Sequence, residues 1–135
     1  MTIETVNSEA FLTTGYERNH FSQAVKSSGL MFCSGVIGTG ADGRVPEDMT
    51  EEFRAAFQGV VDVLALEGLD LSDVVEATTY HVDMPNTLGA FFAVRDEFLT
   101  PPWSAWTAIG TTALAIPGAR VEIRVTAQLK SQLKS

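Results

Sequence analysis

The sequence predicts an α+β fold, in which a mixed β-sheet carries two helices packed on one face. Stretches of alternating or β-branched residues, typical of strands, are separated by two segments whose apolar residues recur every three or four positions. The predicted order is strand, strand, helix, strand, helix, strand, strand, which suits helices gathered on one side of a sheet. The chain has 135 residues, 45% of them hydrophobic, and no linker or repeat, so we expect one domain over residues 1–135.

The first half is predicted to open with a β-hairpin. A strand from about Ser22 to Val25 is followed by a turn at Ser27-Ser28-Gly29 and a second strand from Leu30 to Val36. The single cysteine, Cys33, lies in an apolar run, which indicates a buried, unreactive thiol.

A glycine-rich segment, Gly38 to Gly43, comes next, with Pro46 after it. The spacing Gly-x-Gly-x-x-Gly matches a dinucleotide fingerprint, but helical periodicity begins only near Thr50. The fingerprint needs a helix N-terminus directly at the glycines, because that end binds the pyrophosphate. We therefore predict a turn here, and no cofactor.

Two amphipathic helices are predicted. The first spans Thr50 to Glu67 and ends at Gly68, a favourable C-cap. The second spans Thr87 to Leu99 and must end before Pro101. The apolar positions of the first helix are Phe53, Phe57, Val60 and Leu64, and those of the second are Leu88, Phe91, Phe92, Val94 and Phe98.

Three further strands are predicted, over residues 72–82, 103–111 and 120–129. In the last, apolar residues alternate with polar ones, so that the two sets face opposite sides of the sheet. Helices on one side leave the other side partly apolar, with Trp103 and Trp106 nearby. Such a patch is typical of an oligomer interface.

Composition excludes several classes of function. The net charge of -8 opposes a phosphate backbone, so we expect no nucleic-acid partner. No run approaches 18 apolar residues and no signal peptide is visible, so we expect no membrane partner and a cytoplasmic location.

Few residues have the grouping that common catalytic or metal sites require. His20 and His81 are the only histidines and lack clustered ligands, which predicts no metal site. Beside Glu76 and Asp83, His81 is expected to have a solvated or core-edge role. Ser34 is not in a Gly-x-Ser-x-Gly elbow, so serine nucleophile chemistry is not expected.

Glu122 is the most interesting carboxylate. It lies between Val121 and Ile123 on a strand with one apolar face, where it could be partly desolvated and could activate water. Alternatively, it pairs with Arg120 or Arg124 on the polar face of the same strand. The sequence leaves both interpretations open.

Several segments together resemble the Rid family of enamine/imine deaminases, also labelled L-PSP endoribonuclease-like. The resemblance covers nearly the whole chain. Its segments are Phe21-Ser22-Gln23-Ala24-Val25, Phe32-Cys33-Ser34-Gly35, Asp73-Val74-Val75-Glu76-Ala77-Thr78, the run from Pro101 to Gly110, and Val121-Glu122-Ile123.

This resemblance implies a chorismate-mutase-like fold, a compact homotrimer and a substrate cleft between subunits. It also implies an arginine that binds the substrate carboxylate and a glutamate that positions the hydrolytic water. Glu122 and Ser34 match the family pattern. Phe21 stands where the family has a tyrosine, Phe92 about where it has an asparagine, and Trp106 where it has the arginine.

The three departures replace polar side chains with aromatic ones. A guanidinium suits a carboxylate, whereas an indole has a single N–H donor. We therefore expect hydrolytic deamination of an unidentified small enamine, imine or ring-cleavage product rather than of standard 2-imino acids. Glu122 would act on water, Ser34 would hydrogen-bond the ligand, and Phe21, Phe92 and Trp106 would line the cleft.

Two questions stay open at this stage. The alternative function is a non-catalytic trimer that binds a small molecule. A relocated cation, Arg18 or Arg124, could also replace the missing arginine.

Overall fold

The computed structural model describes residues 3–130 and confirms the α+β fold. Seven strands form one sheet, and two long helices supply most of the helical residues. The strands are β1 (Glu4–Val6), β2 (Ala24–Ser27), β3 (Leu30–Cys33), β4 (Val36–Ile37), β5 (Val74–Val82), β6 (Ala105–Thr111) and β7 (Val121–Gln128). The helices are α1 (Glu9–Phe11), continued as a π-helix over Leu12–Glu17, α2 (Met49–Ala65), a 3-10 turn at Leu71–Asp73, and α3 (Met84–Phe98).

The last strand lies at the centre of the sheet. The strand order is β1-β2-β3-β7-β5-β6, and β4 also pairs with β7. All pairs are antiparallel except β5 with β6, which are parallel. Parallel neighbours need a crossover connection, and α3 provides it. The sheet is therefore mixed, as predicted.

Helices α2 and α3 pack on the same face of this sheet. The predicted apolar residues of α2 are buried, and Val121, Ile123 and Val125 of β7 face them. We name this side the covered face and the opposite side the open face. Directly paired residues of neighbouring strands point to the same face, so the strand register assigns each side chain to one of the two.

The N-terminal elements were not predicted. Strand β1 has only three residues, and the helical turns after it have no amphipathic pattern long enough to detect. The predicted strand from Leu30 to Val36 is also divided in two, because the chain leaves the ladder at Ser34 and Gly35.

The first residues of α2 and α3 differ from the predicted ones for local reasons. Helix α3 begins at Met84, earlier than predicted, with Pro85 in its first turn, where a missing N–H costs nothing. Helix α2 begins at Met49, where the Asp48 carboxylate accepts the N–H of Glu51. Gly68 adopts a positive φ of 70°, which confirms it as the residue that ends this helix.

The glycine-rich segment is a turn, as predicted. The Gly40 N–H donates to the carbonyl of Arg44 at 2.8 Å, and Gly43 has a positive φ of 78°. These glycines are separated from the start of α2 by Pro46 and its neighbours, so they do not form the helix-capping loop of a dinucleotide site.

The prediction for His81 was wrong. Its side chain is fully buried on the covered face rather than solvated or at the core edge, and it packs edge-on against Phe91 with ring centroids 4.9 Å apart. The prediction for Cys33 is confirmed: the thiol is buried, and desolvation raises its pKa to about 11. Over residues 3–130, no helix is long and apolar enough to cross a membrane.

Candidate functional site

The five predicted site residues fall into two groups within one chain. Glu122 pairs in register with Tyr80, and Tyr80 pairs with Ile109, which places Glu122 on the open face. Trp106 pairs with Ala77, and Ala77 pairs with Val125, which places Trp106 on the covered face. Ser34 precedes Gly35, on which the Glu122 side chain packs, and Phe21 adjoins Ser22, the partner of Ser34. Phe92 contacts Trp106.

The Glu122 carboxylate packs directly on the backbone of Gly35. A β-carbon at position 35 would overlap the Glu122 side chain, so any residue other than glycine there would displace the carboxylate. This close approach accounts for a glycine at position 35, between β3 and β4. An isolated glycine in a strand pattern often marks such a contact, so the sequence did contain a signal for it.

Glu122 does not form the ion pair that the sequence left open. Between residues 3 and 130, no cation lies within 4.0 Å of its carboxylate. Arg120 instead binds the fully buried Glu52, through its backbone N–H at 2.7 Å and its guanidinium at 3.0 Å. Burial raises the pKa of Glu52, and these donors from Arg120 oppose that rise. Arg124 is exposed and does not pair with Glu122 either.

Ser34 connects Gly35 to the segment that carries Phe21. The Ser34 hydroxyl donates to the carbonyl of Ser22 at 2.6 Å, which leaves its lone pairs available to a ligand N–H. Phe21 is exposed and contacts Phe11 edge-on at 5.2 Å between centroids. Ser34 and Glu122 are both half-buried and both adjoin Gly35, and the segment bound to Ser34 carries the exposed ring of Phe21.

Trp106 is fixed by hydrogen bonding and by aromatic contacts. Its indole N–H donates to Oγ1 of Thr79 at 2.9 Å, and that hydroxyl lies 2.7 Å from Nε2 of His81. Because Thr79 already accepts from the indole, its own hydrogen is free to donate to the imidazole. Burial lowers the pKa of His81, which favours the neutral ring, whose Nε2 donates or accepts in this bond according to its tautomer. The Trp106 ring also contacts Phe91 and Phe92, at 6.4 and 5.5 Å between centroids.

A cation that the sequence analysis did not single out lies beside Trp106. The guanidinium carbon of Arg95 is 4.5 Å from the Phe92 ring centroid and 5.5 Å from that of Trp106. Arg95 follows Phe92 by three positions on α3, a spacing that places both on one helix face. Arg18 and Arg124, the two cations considered from sequence, make no such contact with Trp106.

The described residues offer no metal centre: no group of three His, Cys, Asp or Glu side chains between residues 3 and 130 is arranged to hold an ion. The chemistry available on the open face is a carboxylate, a hydroxyl and an aromatic surface. On the covered face it is the Arg95 guanidinium beside the rings of Phe92 and Trp106.

Comparison with known proteins identifies the family. A family model described as Endoribonuclease L-PSP matches residues 14–129. The chain belongs to this L-PSP (Rid) family. A RutC family protein of Escherichia coli strain K12, YjgH, is 35% identical over 118 residues, which are 87% of this chain and 88% of the relative. A 2-iminobutanoate/2-iminopropanoate deaminase of Capra hircus is 32% identical over 109 residues, 79% of this chain and 78% of the relative.

Solved structures confirm the family fold. The structure of protein YJGH superposes with a TM-score of 0.84 at 32% identity and covers 96% of this chain and 98% of that one. The fold of this L-PSP family member is chorismate-mutase-like, as the resemblance implied.

Proposed function

We propose that this family member hydrolyses a small enamine or imine, distinct from the standard 2-imino acids, in a cleft between the subunits of a homotrimer. The carrying observation is the Glu122 carboxylate, which is half-buried against Gly35 and has no ion-pair partner among residues 3–130. A carboxylate free of a structural pair is available to accept a proton from water. The relative whose name is 2-iminobutanoate/2-iminopropanoate deaminase supports this class of reaction.

A cleft between subunits accounts for the separation of the predicted residues. Within one chain, Glu122 packs on Gly35, next to Ser34 on the open face, and Phe92 and Trp106 contact each other on the covered face. Phe21 adjoins Ser22, which binds Ser34. A cleft that uses all five residues takes Phe21, Ser34 and Glu122 from one subunit and Phe92 and Trp106 from its neighbour. Glu122 then activates the water, Ser34 accepts a ligand N–H, and the aromatic rings contact the ligand's flat body.

The absence of an arginine at position 106 determines which substrates are expected. A charge-assisted carboxylate bond contributes on the order of 1.5–3 kcal/mol, so its loss weakens binding of a small acidic imine by roughly ten- to a hundredfold. The indole cannot replace it, because its single N–H is used by Thr79. We expect slow hydrolysis of 2-iminopropionate and faster hydrolysis of a larger, conjugated imine.

The test is ammonia release from imines generated by an amino-acid oxidase, from alanine and from aromatic amino acids. Glu122→Gln preserves shape and should reduce turnover at least tenfold with an unchanged melting temperature. Gly35→Ala should also reduce turnover, because its methyl group occupies the position of the carboxylate. Gly89→Ala is the matched control, since a β-carbon there meets no atom within 4 Å.

Full turnover in Glu122→Gln would refute the assignment of the carboxylate. Hydrolysis of 2-iminopropionate at the rate of an arginine-bearing relative would refute the substrate class. Binding of these ligands without turnover would favour the alternative function, a trimer that binds a small molecule without catalysis. The engaged indole of Trp106 is the observation that favours this alternative, because the residue at position 106 has no free donor for a ligand.

A further inference from the structure

A buried histidine lies behind Trp106. On the covered face of β5, Thr79 is 2% exposed and His81 is 0% exposed, whereas Trp106 on the neighbouring strand β6 is 37% exposed. The indole N–H donates to Oγ1 of Thr79, and that oxygen lies 2.7 Å from Nε2 of His81. A row of polar groups therefore runs from the surface into the core. Buried polar groups are costly unless they are paired, so the partners of each group can be counted.

Thr79 has one place to donate its hydrogen. Its neighbours in the strand register are Ile123 and Ala108, whose side chains form no hydrogen bonds. Among residues 3–130, its hydroxyl contacts only the indole N–H of Trp106 and the imidazole of His81. The oxygen already accepts from the indole, so the hydrogen is left unpaired unless the imidazole accepts it.

This count favours one tautomer of His81. If the proton is on Nε2, both the Thr79 hydrogen and the Nδ1 lone pair lack a partner among residues 3–130. If the proton is on Nδ1, Nε2 accepts the Thr79 hydroxyl, and only the Nδ1 N–H is unpaired. The second arrangement leaves fewer buried groups unpaired, so it is the more stable. Burial also lowers the pKa of His81, which keeps the ring neutral and able to accept.

The bond to Thr79 determines which way the indole of Trp106 faces. The ring also contacts Phe91 and Phe92, but a ring turned over about its bond to the β-carbon would still pack against both. Only one of these two orientations brings the N–H to Thr79. The same bond directs the indole's single donor into the core, away from any ligand.

We propose that His81 is a positioning residue for the proposed imine hydrolysis, on which this inference rests. In its Nδ1–H tautomer it accepts the Thr79 hydroxyl, and Thr79 in turn holds the Trp106 indole in one orientation. Position 106 then gives the cleft an apolar wall without a donor, which selects a ligand whose flat body is uncharged at that end. His81 contacts neither ligand nor water in this arrangement and acts only through Thr79.

NMR of isotopically labelled protein at neutral pH tests the tautomer and the indole. Nδ1 of His81 should have the nitrogen shift of a protonated atom, and Nε2 that of an unprotonated one. Thr79→Val removes the acceptor of the Trp106 indole and should speed exchange of its N–H with water roughly three- to tenfold. The signal is assigned with Trp103→Phe. The matched control, Thr87→Val, removes another buried threonine hydroxyl and should leave this exchange unchanged.

Two substitutions of His81 separate an accepting role from a space-filling one. His81→Gln can place an amide oxygen near the position of Nε2 and should keep the slow indole exchange. His81→Leu is apolar and should speed the exchange as Thr79→Val does. In the imine assay, His81→Leu should raise KM for the imine of phenylalanine roughly three- to tenfold while changing kcat less than about twofold, and His81→Gln should keep the wild-type KM.

The proposal is overturned by a proton on Nε2, or by unchanged indole exchange in Thr79→Val. Equal effects of His81→Gln and His81→Leu would also overturn it, because His81 would then only fill space. Glu122→Gln should reduce turnover without changing the indole exchange, which separates this inference from the proposed function. A wild type that hydrolyses no imine would refute the proposed function, and the NMR measurements, which need no substrate, would still support or overturn the positioning of the indole by His81.

Discussion

The two faces of the sheet differ in how completely they are buried. On the covered face, Val121 and Ile123 are 0% and 2% exposed, because α2 and α3 pack over them. On the open face, Phe32 and Ile109 are 38% and 42% exposed, and Glu122 lies between polar and apolar neighbours. Both faces belong to the same strands, so the difference arises from what covers each face and not from the strands themselves.

This difference separates two properties of the molecule. The covered face supplies the buried contacts that determine the fold within one chain. The apolar residues of the open face have no helix over them, so only another molecule can bury them. We propose that a second and a third copy of this chain do so. Variants on each face should therefore change different measurements.

The largest expected effect is on assembly. Wild-type protein should have three times the 14.5 kDa chain mass by light scattering. Ile109→Glu places a charge in the middle of the proposed interface and should convert the trimer to monomers at micromolar concentration, because a desolvated, unpaired charge is costly.

The matched control is Leu66→Glu, which changes an equally exposed apolar residue just after α2 and should leave the trimer intact. A monomeric wild type would contradict the proposed assembly, and a trimeric Ile109→Glu would exclude this part of the open face from the interface.

The second effect is on stability and tests the covered face. Glu52→Ala removes the fully buried partner of Arg120 and should lower the free energy of unfolding by about 3 kcal/mol. Glu97→Ala removes an exposed partner, from Arg54, and should cost less than about 1 kcal/mol. Denaturant titration at one protein concentration measures both. Equal costs would show that burial does not distinguish these two ion pairs.

The smallest effect is on pH dependence and concerns His81. Burial lowers its pKa in the folded chain below the ordinary value of 6.5, so the unfolded chain takes up a proton first as the pH falls. The stability that this residue contributes is therefore present above pH 6.5 and is lost as the pH falls towards the folded-state pKa. The raised pKa of Glu52 acts in the opposite direction, with stability lost as the pH rises above 4.5.

A comparison with His81→Gln isolates the histidine, because Glu52 is present in both proteins. Between pH 7.5 and 5.5, the melting temperature of the wild type should fall by roughly 2–5 °C more than that of the variant. Parallel melting curves over this range would contradict a depressed pKa for His81.

The sequence predicted the long elements of the fold because their patterns are long. Helix α2 and strand β7 have enough periodic residues to determine both their type and their buried side. Strand β1 has three residues, and its position depends on pairing with β2, which no local pattern reveals. The burial of His81 likewise depends on α3 packing over it, a tertiary contact.

The candidate site was predicted less completely than the fold. A family resemblance assigns Glu122 and Trp106 to one cleft, but only the strand register shows that they occupy opposite faces within one chain. Arg95 was missed because its contacts with Phe92 and Trp106 bring together α3 and β6, and the sequence alone does not specify how that helix lies on the sheet.

The contacts of Trp106 also constrain how the sequence at this position can evolve. Trp106→Arg alone would place a second guanidinium against Arg95 and would leave Thr79 without its indole donor. The substitution therefore carries an epistatic cost that depends on the residues at 79 and 95. A lineage that exchanges tryptophan for arginine at this position should therefore change residues 79 and 95 as well, so we do not expect Trp106→Arg alone to create a carboxylate-binding site.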